Sequence, residues 1–226
     1  MLASRNLFCG ILEVREESNT VRIYTLRIYS YQDGSGMRKL PKPTPTTFLV
    51  IANLLVYIYT SVVGGNYIRT SDSALEQWGQ FNLYVMNGWY WQLLTSIFIH
   101  VDIIHLSLNM FFLLIFGFRA EELFNTEEYF FIYFLSGLSG NLLTLVLMGP
   151  LTLSAGASGA IFGIFGACVI YLRKTFGQSI VGALLYSFLL LMMTTGRNVN
   201  IFAHFGGLAA GLIIGYALAK SRKIVF

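Results

Sequence analysis

Charged side chains are scarce in this chain. Only 12% of its 226 residues are Asp, Glu, Lys or Arg, whereas 55% are hydrophobic. A soluble domain carries about 25% charged residues, so the composition indicates a membrane protein. The formal net charge of +4 is scattered between apolar runs, which fits the positive-inside rule better than a nucleic-acid surface. We therefore expect the lipid bilayer as a partner and no nucleic acid.

Cysteine is also rare, and no disulfide framework is implied. Cys168 lies within an apolar run and Cys9 lies near the N-terminus, so the two do not suggest a bridge. No apolar core follows a basic segment at the start of the chain, and a cleaved signal peptide is not predicted. The first true span is expected to act as its own insertion signal.

Residues 1–42 differ in character from the rest. They carry many charged residues and too few large apolar residues for a core. This composition favours an N-terminal cytoplasmic segment that is disordered or loosely attached, with one short strand in VRIYTLRIYS. Alternatively, synthesis begins at Met37, just before the basic stretch Arg38, Lys39 and Lys42. Mass spectrometry of the native protein tests whether synthesis begins at Met37. A native protein that still contains residues 1–36 would exclude it.

Residues 43–226 contain apolar runs for six transmembrane helices, each of about 20 residues. The aromatic-rich segment 66–101, with Trp78, Trp89 and Trp91, is predicted to be a loop at the membrane surface. Gly149-Pro150 marks the turn between the third and fourth spans. The predicted spans are 47–63, 103–118, the two halves of 129–172, 178–193 and 200–219. The predicted fold is an all-α, six-helix membrane bundle.

Basic residues divide unevenly between the two sides of this topology. From Met37 onward nine lie on one side, and only Arg69 and Arg197 lie on the other. The positive-inside rule then puts both termini in the cytoplasm of a multi-pass cell-membrane protein. The 66–101 loop and the Gly149-Pro150 turn face outward. The nine basic residues are at positions 38, 39, 42, 119, 173, 174, 220, 222 and 223.

Four polar side chains fall at similar depth near the outer ends of three predicted spans. Ser158 begins the fourth span, His204 lies about one turn into the sixth, and His105 and Asn109 share a face of the second. Each alone has a structural explanation, because serine packs between membrane helices and histidine or asparagine hydrogen-bonds a neighbouring helix. Four together, where polar groups are costly, indicate a functional site on the outer side.

These residue types fit acyl transfer. A serine hydroxyl needs a base, and His204 is the only suitable one in spans four to six. The Ser158 backbone N–H, the His105 ring and the Asn109 amide are candidate donors to an oxyanion. No carboxylate lies near the sixth span, so a dyad is predicted and not a triad. Asp102 is explained as the N-cap of the second span.

Glycines recur every four residues in the fourth and sixth spans. Such stripes let two helices approach closely, which brings the short Ser158 within hydrogen-bond reach of His204. They are also ordinary packing motifs, and the two roles are compatible. The glycines are Gly159 and Gly163 in the fourth span and Gly207, Gly211 and Gly215 in the sixth.

A metal site is the main chemical alternative, with His100, His105 and His204 as ligands. His100 and His105 are five residues apart and do not share a face of a straight helix. No cysteine joins them, Asp102 is the only nearby acid, and no H-E-x-x-H pattern occurs. We therefore predict no metal and no cofactor.

Three motifs resemble the rhomboid family of intramembrane serine proteases. They are WQLLTSIFIHVDIIHLSLNM, GASGAIFG and AHFGGLAAG, in the family's order, within a similarity that covers residues 45–220. The resemblance implies a six-helix fold with Ser158 as nucleophile and His204 as general base. It implies that His105, Asn109 and the Ser158 amide stabilise the oxyanion, and that Gly156 shapes that loop. The implied substrates are membrane-anchored proteins, cut in or near their transmembrane segment.

Two positions depart from the family pattern. Trp91-Gln92 stands where many members have Trp-Arg, whose arginine is credited with anchoring the first loop. Phe162 stands where some members have a tyrosine packed on the catalytic histidine, so the aromatic face is kept and the hydroxyl is lost. Neither change predicts an inactive enzyme.

Two other functions remain alternatives to a protease. An inactive rhomboid-like protein would bind membrane clients without cutting them, although such proteins typically lack one of the two residues found here as Ser158 and His204. A small polytopic transporter would be expected to show buried charges or broken-helix pairs, which the sequence does not show. The sequence favours an intramembrane serine endopeptidase.

Overall fold

The computed structural model describes Cys9–Arg15, Ile23–Tyr29 and residues 43–177, 179, 181–182 and 200–222. The chain divides into two compact units, Met1–Lys42 and Pro43–Phe226. Apart from residues 179, 181 and 182, the predicted fifth span at 178–193 lies outside the described residues.

The first unit contains an antiparallel pair of strands. β1 (Cys9–Arg15) pairs with β2 (Ile23–Tyr29) over their full length. β2 coincides with the strand predicted in VRIYTLRIYS. β1 has no counterpart in the sequence prediction, because Gly10 and Glu13 give that segment a weak strand signal. The disordered character of residues 1–42, their cytoplasmic side and the start at Met37 stay predictions.

The second unit is built from long helices joined by short elements. In chain order these are α1 (Pro45–Val63), α2 (Asp72–Trp78), β3 (Gln80–Phe81), α3 (Asn82–Met86), α4 (Gln92–Thr95), a 3₁₀ turn (Ser96–Phe98), α5 (Ile103–Glu121), α6 (Thr126–Leu147), β4 (Leu153–Ser154), α7 (Ser158–Phe176) and α8 (Ile201–Ser221).

Four of these helices, α1, α5, α6 and α8, are long and apolar enough to cross a membrane, with mean hydropathies of 1.7 to 1.8. They correspond to the first, second, third and sixth predicted spans. The 19-residue α7 corresponds to the fourth. The all-helical membrane bundle is therefore confirmed. The total of six also counts residues 178–193 and stays a prediction.

Residues 66–101 form no long helix, as expected for a loop, and buried amides hold them in place. Gln92 accepts a hydrogen bond from the Phe81 N–H at 2.9 Å and donates one to the Glu76 carbonyl at 2.6 Å. The Asn82 amide donates to the Gly149 carbonyl at 3.2 Å, just beyond the end of α6. The loop is thus fixed to the bundle, and its location at the membrane surface stays a prediction.

Glycines set the spacing between α7 and α8. A Cβ on Gly207 would overlap the backbone carbonyl of Gly159, and a Cβ on Gly211 would overlap that of Gly163. We call these four residues the α7–α8 glycine interface. The stripes predicted from the sequence therefore lie where the two backbones meet. α7 also packs against α6, so it is enclosed on two sides.

The two ends of α8 are held by different kinds of contact. At the N-terminus, Asn200 caps the helix, and its Oδ1 accepts from the Ala203 N–H at 3.1 Å. Beyond the C-terminus, Arg222 forms an ion pair with Glu128 and donates to the Tyr171 hydroxyl at 2.8 Å. Because Asn200 also bonds Thr144 and Ser154, both ends of the helix that carries His204 are fixed to neighbouring elements.

Candidate active site

Ser158 and His204 form a hydrogen-bonded pair. Ser158 is the first residue of α7, and His204 lies in the first turn of α8. Because the α7–α8 glycine interface brings the two backbones together, the Ser158 Oγ lies 2.8 Å from the His204 Nε2. This is a normal hydrogen-bond distance. It is also the distance at which an imidazole can take a proton from a hydroxyl.

Besides its bond to Ser158, the His204 ring makes an aromatic contact, and no carboxylate bonds it among the described residues. Phe162 stacks on the ring, with centroids 4.6 Å apart and an interplanar angle of 22°. The His204 Nδ1 is buried and has no hydrogen-bond partner among the described residues. For Nε2 to accept the serine proton, the ring proton must sit on Nδ1. Stacking on Phe162 is therefore the contact that restricts the ring plane among the described residues.

Gly156 lies directly against the His105 ring, two residues before Ser158. Its φ is +127°, and a Cβ there would lie 2.7 Å from the His105 Cε1 and 2.9 Å from the Nε2. Glycine is required both by the backbone conformation and by the close approach of the ring. The Gly156 N–H donates to the Ser96 carbonyl at 2.9 Å, which fixes the segment that leads into Ser158.

His105 and Asn109 occupy the first two turns of α5. Asp102 caps this helix, because its Oδ1 accepts from the His105 N–H at 2.8 Å, and the predicted cap is confirmed. The Asn109 Nδ2 donates one of its two protons to the His105 carbonyl at 2.8 Å. The Oδ1 of the same amide is buried and has no hydrogen-bond partner among the described residues.

All five predicted site residues line one cavity of about 790 Å³. Much of the remaining lining is apolar, with phenylalanine side chains from α5 and α7. One hydroxyl, two imidazole rings and one side-chain amide therefore line a space whose volume lies in the range common for ligand sites. The five residues are His105, Asn109, Gly156, Ser158 and His204.

His100 is not part of this lining among the described residues, although its ring centroid lies 5.3 Å from that of His105. Its side chain is fully buried, with Nδ1 3.3 Å from the Phe98 carbonyl oxygen. Burial, reinforced by His105, lowers the pKa of His100 to about 3, so this ring is neutral at physiological pH. Within the described residues, no group of three His, Cys, Asp or Glu could hold a metal ion.

Both departures from the family pattern are accommodated. Gln92 is fully buried and bonds across the 66–101 segment to Phe81 and Glu76, so it anchors the loop in the position usually held by arginine. Phe162 retains the aromatic contact with His204. The sequence alone does not show that Gln92 anchors the loop. A glutamine is shorter than an arginine, so it can replace one only where backbone carbonyl and N–H groups lie closer to it.

Sequence reasoning missed three residues that connect the parts of the site. The Asn200 Nδ2 donates to the Ser154 Oγ at 2.9 Å and to the Thr144 Oγ1 at 2.8 Å. An asparagine at a helix start, four residues before His204, is a recognisable cap signal. Nothing in the sequence marks Ser154 or Thr144 as its partner.

The fold and the site define a multi-pass helical membrane protein with a partly buried Ser–His pair in a cavity rich in apolar side chains. Residues 87–221 match the family model described as the Rhomboid domain. This match covers more than half of the chain, and the chain belongs to the rhomboid family.

Curated relatives agree with this assignment. The chain is 31% identical over 178 residues to Rhomboid-like protease 3 of Toxoplasma gondii, with 74% of this chain and 66% of that protein covered. It is 28% identical over 182 residues to the putative rhomboid protease YdcA of Bacillus subtilis, with 78% and 89% covered. It is 31% identical over 193 residues to the rhomboid protease GluP of Bacillus subtilis, with 82% of this chain but 37% of that protein covered. Its coverage of these relatives therefore varies widely.

Proposed function

We propose that this protein is an intramembrane serine endopeptidase that cuts membrane-anchored proteins in or near their transmembrane segment. The observation that carries the proposal is the 2.8 Å contact between the Ser158 Oγ and the His204 Nε2 inside the cavity. Relatives named as proteases support the hydrolase class.

In the proposed reaction, His204 Nε2 takes the Ser158 proton while Oγ bonds to the carbonyl carbon of the scissile peptide. The π electrons of the carbonyl move to its oxygen and form an oxyanion. When the tetrahedral intermediate collapses, the C–N bond breaks and His204 gives the proton to the leaving amine. Water then attacks the acyl group in the same way, and Ser158 is regenerated.

Three groups are proposed to receive the oxyanion: the Ser158 backbone N–H, the His105 ring and the Asn109 amide. Ser158 is the first residue of α7, and the first N–H groups of a helix have no acceptor within the helix. The positive end of the helix dipole favours negative charge at the same point. Gly156 supports this arrangement by letting the His105 ring approach the loop before Ser158.

The position of the site supports the proposed substrate class and orientation. His105, Ser158 and His204 all lie in the first turn of their helices, so the site is at one end of the bundle. The nine-to-two division of basic residues favours the outer side for this end, with both termini in the cytoplasm and the protein in the cell membrane. Phenylalanines in the cavity lining suit a segment that arrives from the bilayer. Small residues at the cut and helix-destabilising residues nearby would expose its backbone.

Cleavage of a model transmembrane substrate by the purified full-length chain in proteoliposomes tests the proposal. Ser158→Ala and His204→Ala are each expected to lower the rate by about 10³-fold or more, because nucleophile and base act as a unit. Ser107→Ala is the matched control, since among the described residues the Ser107 hydroxyl bonds only the Ile103 carbonyl of its own helix. Equal cleavage by all three variants and wild type would refute the assignment.

A serine-reactive fluorophosphonate separates the enzyme from the alternative function. The wild-type protein is expected to be labelled at Ser158, and the Ser158→Ala variant is expected to remain unlabelled. A folded wild-type protein that is neither labelled nor active would instead favour an inactive rhomboid-like protein that binds membrane clients.

A further inference from the structure

Asn200 uses its whole side-chain amide to connect three elements. The Nδ2 group donates to the Thr144 Oγ1 at 2.8 Å and to the Ser154 Oγ at 2.9 Å, and Oδ1 accepts from the Ala203 N–H at 3.1 Å. An asparagine amide has two protons on nitrogen. Both are used here, and each goes to a different element.

The direction of these bonds is determined by the surroundings. The Ala203 N–H can only donate, so the atom that faces it must be the amide oxygen. The Thr144 hydroxyl donates to the Gly140 carbonyl at 2.9 Å, which leaves its lone pairs to accept from Asn200. The amide nitrogen therefore points away from α8, towards α6 and β4.

The two acceptors lie where they control the position of the reacting groups. Ser154 precedes Ser158 by four residues, in β4, and Thr144 lies in the last turn of α6. Asn200 precedes His204 by four residues. A single amide thus ties the start of the helix that carries the base to the strand that leads to the nucleophile, and ties both to α6.

His204 depends on such a connection because its ring has few polar contacts. Its Nδ1 has no partner among the described residues, so no second hydrogen bond corrects the ring position if α8 shifts. The distance from the His204 Nε2 to the Ser158 Oγ then depends on the relative placement of α8 and the segment before α7. A displacement of about 1 Å can cost about 10²-fold in rate.

We propose that Asn200 is a positioning residue that sets the Ser158–His204 distance by holding the start of α8 to Ser154 and Thr144. This inference rests on the proposed protease function. The simpler role is that of a helix cap alone, which uses Oδ1 and not Nδ2. A substitution that keeps a capping oxygen but removes the Nδ2 donor therefore distinguishes the positioning role from the cap.

Asn200→Ser is the decisive variant. Serine caps helices about as well as asparagine, but its side chain is too short to reach Ser154 and Thr144 while it caps Ala203. Asn200→Ala removes both functions. Thr144→Val and Ser154→Ala remove the acceptors without changing the cap, and Thr144→Ser is the conservative control that keeps the hydroxyl.

The measurements are kcat and KM for a transmembrane substrate, the rate of fluorophosphonate labelling, and the unfolding temperature, all on the full-length protein. With rates normalised to the folded fraction, Asn200→Ser is expected to lower kcat and the labelling rate by about 10- to 100-fold with little change in KM. Thr144→Val combined with Ser154→Ala is expected to match it, and Thr144→Ser is expected to resemble wild type.

The other outcomes are equally informative. An Asn200→Ser variant as active as wild type would refute the positioning role and leave only the cap. A loss that disappears after normalisation to the folded fraction would do the same. A wild-type protein that neither cuts nor labels would instead overturn the proposed function itself.

Discussion

At the scale of single residues, the site depends on the missing side chain of Gly156, because a Cβ with its hydrogens would occupy the space of the His105 ring. The ring lies less than 3 Å from where that Cβ would be, and the φ of +127° is unfavourable for any other residue. Glycine is therefore required at position 156 both by the close approach of the His105 ring and by the positive φ.

Gly156→Ala is expected to lower the rate of substrate cleavage by at least about 10-fold, because even a displacement of about 1 Å in an active site can cost 10²-fold. Gly149→Ala is the matched control, since a Cβ there meets no atom of the described residues within 4 Å. Cleavage assays on both variants compare the two glycines. Equal rates for the two variants would show that the His105 position does not matter for the reaction.

His100 gives the fold a dependence on pH. The unfolded chain binds a proton near pH 6.5, whereas burial lowers the pKa of His100 to about 3 in the folded protein. Its contribution to the free energy of unfolding is complete above pH 6.5 and declines as the pH falls towards 3. At pH 5 the loss is about 2 kcal/mol, from about 1.4 kcal/mol per pH unit.

His100→Asn, which keeps a donor near the Phe98 carbonyl, is expected to reduce this sensitivity to acid. The measurement is the unfolding temperature in detergent micelles at pH 7 and pH 5, for wild type and variant. The fall between the two pH values should be smaller in the variant. An identical fall would show that His100 is not the group responsible.

At the scale of elements, the α7–α8 glycine interface lets two helices pack backbone against backbone. Gly211→Ala is expected to lower the free energy of unfolding by about 1–3 kcal/mol, because the added methyl group meets the Gly163 carbonyl. Cleavage should fall as well, since the same contact brings His204 to Ser158. Gly182→Ala is the control, because a Cβ there meets none of the described residues within 4 Å. The measurement is the unfolding temperature of both variants. Equal unfolding temperatures would contradict a tight interface.

The sequence predicts some of these elements well because their signals lie within one helix. Apolar length predicts α1, α5 and α6, and the four-residue spacing of glycines predicts the faces of α7 and α8 that meet. Both signals depend only on helical geometry. Charged residues mark the ends of the predicted spans, and the positions of Ser158 and His204 relative to those ends give their predicted depth in the membrane.

The contacts between elements are not predictable in the same way. Asn200 reaches Ser154 and Thr144 across 46 and 56 positions of the chain, and such short side chains meet only when three backbones are placed to within about an ångström. Gln92 anchors the 66–101 segment through backbone groups, which leave no pattern in the sequence.

At the scale of the whole molecule, topology decides from which side water reaches the site. In a background with Cys9→Ser and Cys168→Ala, Gly149→Cys is expected to react with a membrane-impermeant maleimide on intact cells. Positions 149 and 220 are both exposed, but they lie at opposite ends of the bundle. Lys220→Cys is therefore expected to react only after the membrane is permeabilised. The reverse pattern would invert the topology and move the site to the cytoplasmic side.

The unlike anchors of α8 give its two ends different chemical sensitivities. At the N-terminal end, Asn200 makes neutral hydrogen bonds, which added electrolyte does not screen. At the C-terminal end, the partly exposed pair of Arg222 and Glu128 is open to screening, with a Debye length of about 8 Å at physiological ionic strength. Rising ionic strength therefore loosens the end far from Ser158 first. A salt-dependent loss of stability can thus precede any change in the geometry around His204.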